Sequence, residues 1–359
     1  MRKIIPILAL MSGVTHAADY SIQLGIEAIG SSEPVPIENM VTGWDGDFQQ
    51  GELAFADASN YTAFKFPLID KGWLELKHHY RRYYYLEFSE ETAELYRAME
   101  TTGEISENKN IDLTVKHFEG PALGVAYHLP KLDFENFSLE LSASVDLYQP
   151  GHFQFGELDG LANVGSTDNV AGNIDYRYDQ DKILDCDQPV ENGCKVQDVD
   201  KGFGYSLSTS VSIDVGSYLF SWQTKDLFNQ FRWENGAFTE GCVNVGGGVS
   251  GVCEEGQLQN GFSGNQNTVE RIYATHTFTA SHHASGVSFG WLNHGAYDRF
   301  SVAKSFDTKL GRFGVFLYHP VQLGLGWKYQ AFEFKLAADD DQWQEMRNLE
   351  LDLAIGWQW

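Results

Sequence analysis

The last eleven residues place Leu349, Leu351, Leu353, Ile355, Trp357 and Trp359 on one face of an extended chain, and Glu350, Asp352, Ala354, Gly356 and Gln358 on the other. A period of two is the signature of a β-strand with one apolar and one polar side. Similar alternation recurs along most of the sequence, while mean hydropathy is below zero. Past the N-terminal segment there is no apolar run of the roughly 20 residues that a membrane-crossing helix needs. A helical membrane protein is thereby excluded, whereas alternating barrel strands, which show lipid only every second side chain, remain allowed.

The terminal strand resembles the closing strand of Gram-negative outer-membrane β-barrels, in which the aromatic end is part of the signal read by the barrel-assembly machinery. The resemblance implies that role for Trp357 and Trp359, and lipid and lipopolysaccharide as surroundings. The N-terminus agrees with it. Arg2 and Lys3 precede the apolar stretch Ile4 to Val14, and Thr15-His16-Ala17 offers small residues before a cut at Ala18. This reads as a secretory signal at 1–17, removed after Sec-type export, with 18–359 forming a single barrel domain in the outer membrane.

Charge narrows the partners. The chain carries a formal net charge of -25, which cleavage of Arg2 and Lys3 takes to -27, so nucleic acid is excluded as a ligand. Aromatic residues make up 14% of the chain and glycine contributes 36 residues, as expected where Trp and Tyr girdle two membrane interfaces and Gly relieves crowding in bent strands. The four cysteines fall into two close pairs, Cys186 with Cys194 and Cys242 with Cys253, each in a Gly/Asp/Asn-rich stretch. Two local disulfides in extracellular loops are expected; a zinc site would call for closer spacing.

Seventeen alternating segments stand out between 19–28 and 349–359. Because single-chain bacterial barrels have even strand counts, the expectation is an all-β fold, a closed antiparallel transmembrane β-barrel of about 14 to 16 strands with long extracellular loops. Counting back from Trp359 in the periplasm, with His319-Pro320 as an extracellular turn, puts the stretches near 180–200 and 233–267 outside the cell. Ser89 to Thr101 departs from the pattern: an N-cap serine, first-turn acids and good helix formers predict one short loop helix, either on the surface or folded into the lumen.

The polar faces suggest lumen-lining residues. The basic and aromatic run Lys77-His78-His79-Tyr80-Arg81-Arg82-Tyr83-Tyr84-Tyr85 puts Glu75, Lys77, His79 and Arg81 on one side, opposite acids such as Glu140, Asp146 and Asp352. Two readings stand side by side: a charged constriction in a pore, or ion pairs that satisfy a packed interior. A tight turn at Gln330-Ala331 brings Lys328 opposite Glu333, and the next hairpin brings Lys335 opposite Asp352.

Chemistry has few other footholds. His283 and Ser285 share a face, a His-x-Ser spacing that resembles outer-membrane phospholipase A and lipid A deacylases. Those continue with Asn where Gly286 stands here, and the pair falls at a periplasmic turn. The carboxylate groups Asp339 to Asp341 and Asp179, Asp181, Asp185, Asp187 match no calcium-loop pattern and read as solvated loops. No cofactor or resident metal is expected. The leading expectation is a passive porin-like channel or transporter for small hydrophilic or amphipathic solutes; the alternatives are a non-conducting surface or structural barrel and, below it, a lipid-modifying hydrolase.

Overall fold

The computed structural model describes residues 20–44, 46–68, 72–179, 202–245, 252–253 and 260–359. The leader expected at 1–17 and the pair Cys186 and Cys194 lie outside the described residues.

From Tyr20, whose ring stacks 6.4 Å from that of Trp359, β1 (Ser21–Ser32) runs to the opposite end of the molecule, where α1 (Ile37–Thr42) follows. Strand β2 (Leu53–Leu68) returns and β3 (Gly72–Phe88) runs back up. At the upper end lie α2 (Glu90–Thr101) and the short β4 (Glu104–Ile105), before β5 (Lys109–His128) descends. After a lower connection holding β6 (Leu132–Asp133), β7 (Ser138–Tyr148) and β8 (Phe153–Ala162) climb as one wall strand interrupted at 149–152. Past β9 (Gly165–Ser166), which pairs with β4, β10 (Val170–Tyr178) and β11 (Gly202–Val215) descend, again as one course of the wall. Then β12 (Tyr218–Val245) rises over 28 residues, and β13 (Asn260–Glu270) and β14 (Thr275–His282) come down. Six short strands finish the circuit: β15 (Val287–His294), β16 (Tyr297–Thr308), β17 (Gly311–His319), β18 (Gln322–Tyr329), β19 (Phe332–Ala338) and β20 (Asn348–Gln358). The pairing of β20 with β1, Gln358 against Ser21, closes the sheet into an antiparallel barrel of fourteen wall strands.

Alternation explains which side chains face where. Leu317, Leu323, Leu325 and Phe289 are 56% to 61% exposed on the outside, a continuous apolar surface that only lipid can cover. Phe316 and Tyr318 point inward between them, and the ring of Phe316 occupies space that side chains at Gly314 and Gly326 would fill. The wall is uneven in height. A membrane-spanning strand needs about 9 to 11 residues; β15 has 8, whereas β12 continues far beyond the membrane.

That extension corrects part of the sequence reading. The segment 153–162 is strand β8, and much of the stretch assigned to a loop at 233–267 is strand, up to Val245 and again from Asn260. Outside the membrane no lipid enforces an apolar face, so these polar, Gly- and Asn-rich strands carry no period-two signal. The disulfide expected at their tip is present between Cys242 and Cys253. The helix expected at 89–101 is α2, capped by Ser89, whose hydroxyl accepts from the Thr92 amide at 3.2 Å. It packs at the upper end through Ala93 against Phe88 and Ala54, and through Leu95 against Ile105 and Ile111.

Candidate functional site

Inside the barrel, β3 turns its odd-numbered residues inward, and Arg81 is fully buried there. Its guanidinium makes a two-pronged contact with Asp57 on β2, Nε to Oδ1 and Nη2 to Oδ2, both at 2.8 Å. It also donates to Asp226 on β12, Nη1 to Oδ1 at 3.0 Å and Nη2 to Oδ2 at 2.8 Å, and from Nη1 to the Tyr148 hydroxyl at 3.3 Å. Lys225 adds a third cationic contact to Asp57, at 2.8 Å, and Ser206 donates to Asp226 at 2.6 Å. Two cations thus meet two carboxylates. Burial without such pairing and hydrogen bonding would cost several kcal/mol per charge.

Asp226 reaches this position because β12 bulges. It holds φ 59, and opposite it the register with β11 shifts between Leu207 and Thr209, so Ser208 alone faces Lys225 to Leu227. The bulge turns two consecutive residues, Lys225 and Asp226, toward Asp57 and Arg81. On the other side the ladder to β13 and β14 is interrupted between Phe231–Glu270 and Lys225–Thr275. The side chain of Asn229 substitutes for the lost ladder, accepting from the Ile272 amide at 2.9 Å and donating to its carbonyl at 3.0 Å.

Around the charges lies a shell of aromatic rings. The Arg81 guanidinium sits 5.5 Å from the Tyr83 ring and 5.7 Å from that of Phe118; Phe118 packs on Phe231 at 4.2 Å, and Phe153 on Trp233 at 4.2 Å. From the short side of the wall, His294 meets the Tyr83 hydroxyl at 2.7 Å through Nε2 and the Thr275 hydroxyl at 2.8 Å through Nδ1, and stacks on Phe55 at 4.5 Å. Strands from both sides therefore meet in a packed septum.

Below it is a cavity of about 380 Å³, lined among others by Glu27, Asp57, Lys225, Thr277, Ser288 and Asp352. A second charged group stands in its wall: Glu350 accepts from Lys335 and the Tyr318 hydroxyl, at 2.8 and 2.9 Å, and lies 3.2 Å from Arg299. Glu27 and Asp352 face each other across β1 and β20.

The residues singled out from sequence fall at several levels. Arg81 is in the septum. His79 lies just beneath it, 3.4 Å from the Tyr148 hydroxyl and 3.8 Å from Asp146. Lys77 lies over the Tyr61 ring at 4.4 Å, and Glu75 pairs with His128 at 3.3 Å, nearer the lower end. At that rim Glu140 is 3.8 Å from Lys131, and Lys328 donates to Glu333 at 2.7 Å. Lys335 is opposite Asp352 in register but extends diagonally to Glu350. His283 and Ser285 do not form a dyad: His283 lies 3.4 Å from Asp214, while the Ser285 hydroxyl meets His282 at 2.9 Å, within a lower turn. Asp339 is occupied by the backbone amides of Arg347 and Asn348, and among the described residues no cluster of metal ligands occurs. Sequence reasoning missed Asp57, Lys225, Asp226 and Arg299, and placed Glu350 on the polar face without its partners. Asp57 and Glu350 sit at regular inward positions and were legible from alternation, whereas the bulge hides Asp226.

Closed wall, apolar outer band and polar interior together define a transmembrane β-barrel of the outer-membrane class. No protein-family model and no curated protein matches the sequence. In shape the chain is similar to the deltaS2S3 mutant of the monoaromatic hydrocarbon channel TodX, at 8% identity and a TM-score of 0.42, over 96% of this chain and 91% of that one. It is also similar to a Pseudomonas aeruginosa FadL homologue, at 10% identity and 0.36 over 94% and 87%. A third such structure is the Ralstonia pickettii toluene transporter TbuX, at 8% and 0.31 over 96% and 90%.

Proposed function

We propose that this protein is an outer-membrane channel for small polar or amphipathic solutes, held closed by the Arg81 septum. The observation that carries this reading is the contrast within the lumen: below a dry septum lies a hollow chamber of about 380 Å³ with charged and hydroxyl groups in its wall. A barrel with only a structural task gains nothing from such a chamber, since filling it with packed side chains would add contacts. Its wall combines hydroxyls, carboxylates and an ammonium group with apolar side chains such as Ile29 and Phe316, which suits an amphipathic solute. The rival, a non-conducting barrel, draws its support from the complete burial of Arg81.

Planar-bilayer recording separates the two. Wild-type protein is expected to give rare, brief openings, and the double variant Arg81→Ala/Phe231→Ala frequent stepwise current, with heat-modifiable gel mobility showing that the barrel is intact. An intact double variant that passes no current overturns the channel reading.

A further inference from the structure

Where the ladder between β12 and the β13–β14 course is interrupted, the outer surface of the wall holds a cavity of about 210 Å³. Its walls include Tyr205, Leu227 and Phe228, which are 39%, 38% and 64% exposed on the lipid side, together with Ala274. Its floor is polar, from Asp226 and Asn229, both already engaged in the bonds described above. At its edge stands Arg271, exposed, with no hydrogen bond or ion pair among the described residues.

Height decides what such a notch meets. Arg271 lies eleven residues above His282, the lower end of β14, and Phe228 lies ten above Tyr218, where β12 begins. A strand crosses the bilayer in about 9 to 11 residues. Arg271 is therefore at the outer headgroup layer and the apolar walls are at the top of the acyl region. The volume is below the roughly 300 Å³ at which pockets for whole small ligands begin, so it suits a segment of chain rather than an entire solute. An unpaired guanidinium beside an apolar recess matches a lipid with an anionic head, and guanidinium groups bind phosphate with two parallel hydrogen bonds.

We propose that this notch is a binding site for the phosphorylated glycolipid of the outer leaflet, lipopolysaccharide, with one acyl chain between Leu227, Phe228 and Ala274 and a lipid A phosphate on Arg271. The site is independent of solute conduction. Arg82, a second exposed arginine at similar height, is already paired with Glu119 at 3.0 Å and provides the control.

Native mass spectrometry of the full chain, reconstituted in vesicles with equal amounts of lipid A and phosphatidylglycerol, reads the site directly. Wild type is expected to retain one lipid A. Arg271→Gln should retain about tenfold less, the size of one charge-assisted hydrogen bond, and Arg82→Gln should match wild type. Ala274→Leu, which narrows the recess without touching the charge, should also release the lipid, so the test survives if one variant misfolds. No lipid retained by wild type, phosphatidylglycerol retained in its place, or retention equal to wild type by both Arg271→Gln and Ala274→Leu would each overturn the proposal.

Discussion

Two arginine-centred groups face each other inside this barrel, built from the same ingredients and set in different solvents. Arg81 is fully buried, contacts two carboxylates and is roofed by Tyr83 and Phe118. Arg299 shares the single carboxylate of Glu350 with Lys335, and Glu350 and Lys335 keep 17% and 26% of their side-chain surface open toward the chamber. Around Arg81 and Asp226, 0% and 1% exposed, water cannot replace a lost partner, although Lys225 opens toward the chamber. Around Glu350 and Lys335 it can, while Arg299 itself stays buried. The lesson is that charge in a barrel interior has two uses: sealed, it locks strands from opposite walls together; hydrated, it gives a surface its chemistry.

Substitutions sharpen that contrast. Asp226→Ala leaves the guanidinium short of one carboxylate in a dry site, so a loss of about 3 to 5 kcal/mol is expected. Urea unfolding in lipid vesicles measures it, and a loss under about 1 kcal/mol would mean that the septum is hydrated. Glu350→Gln keeps the shape but turns one of two accepting oxygens into a donor; Lys335 can turn to the water of the chamber while Arg299 stays buried, so about 1 to 2 kcal/mol is expected by the same method. A loss equal to that of Asp226→Ala would erase the distinction. The smallest effect belongs to the exposed rim pair: Lys328→Ala should cost about 0.2 to 1 kcal/mol, and a double-mutant cycle with Glu333→Ala should show coupling no larger than that.

Much of this was legible in the sequence where lipid imposes the pattern. The hairpins from β15 to β20 followed from alternation and from turns at His319-Pro320 and Gln330-Ala331, and the register of Lys328 with Glu333 came with them. Above the membrane the constraint lapses, and β8, β13 and the upper part of β12 carried no comparable signal. Arg81 was visible because a basic, aromatic run is unusual in so acidic a chain. Its partner Asp226 was not, because an inserted bulge breaks the count that assigns faces, and because the partner lies 145 positions away. Lys335 shows a smaller failure of the same kind: register fixed its neighbour as Asp352, but a long side chain chose the diagonal carboxylate of Glu350.

The central claim, that the lumen is dry at the septum and wet beneath it, is tested most directly by hydroxyl-radical footprinting of the vesicle-embedded protein, because the radical labels only rings that water reaches. Tyr61, half-buried in the lower lumen beside Lys77, should be oxidised. Phe118, Tyr148 and Phe231, each at most 2% exposed, should remain unlabelled on the same timescale. Labelling of these three at a rate similar to Tyr61 would show an open lumen and contradict the account.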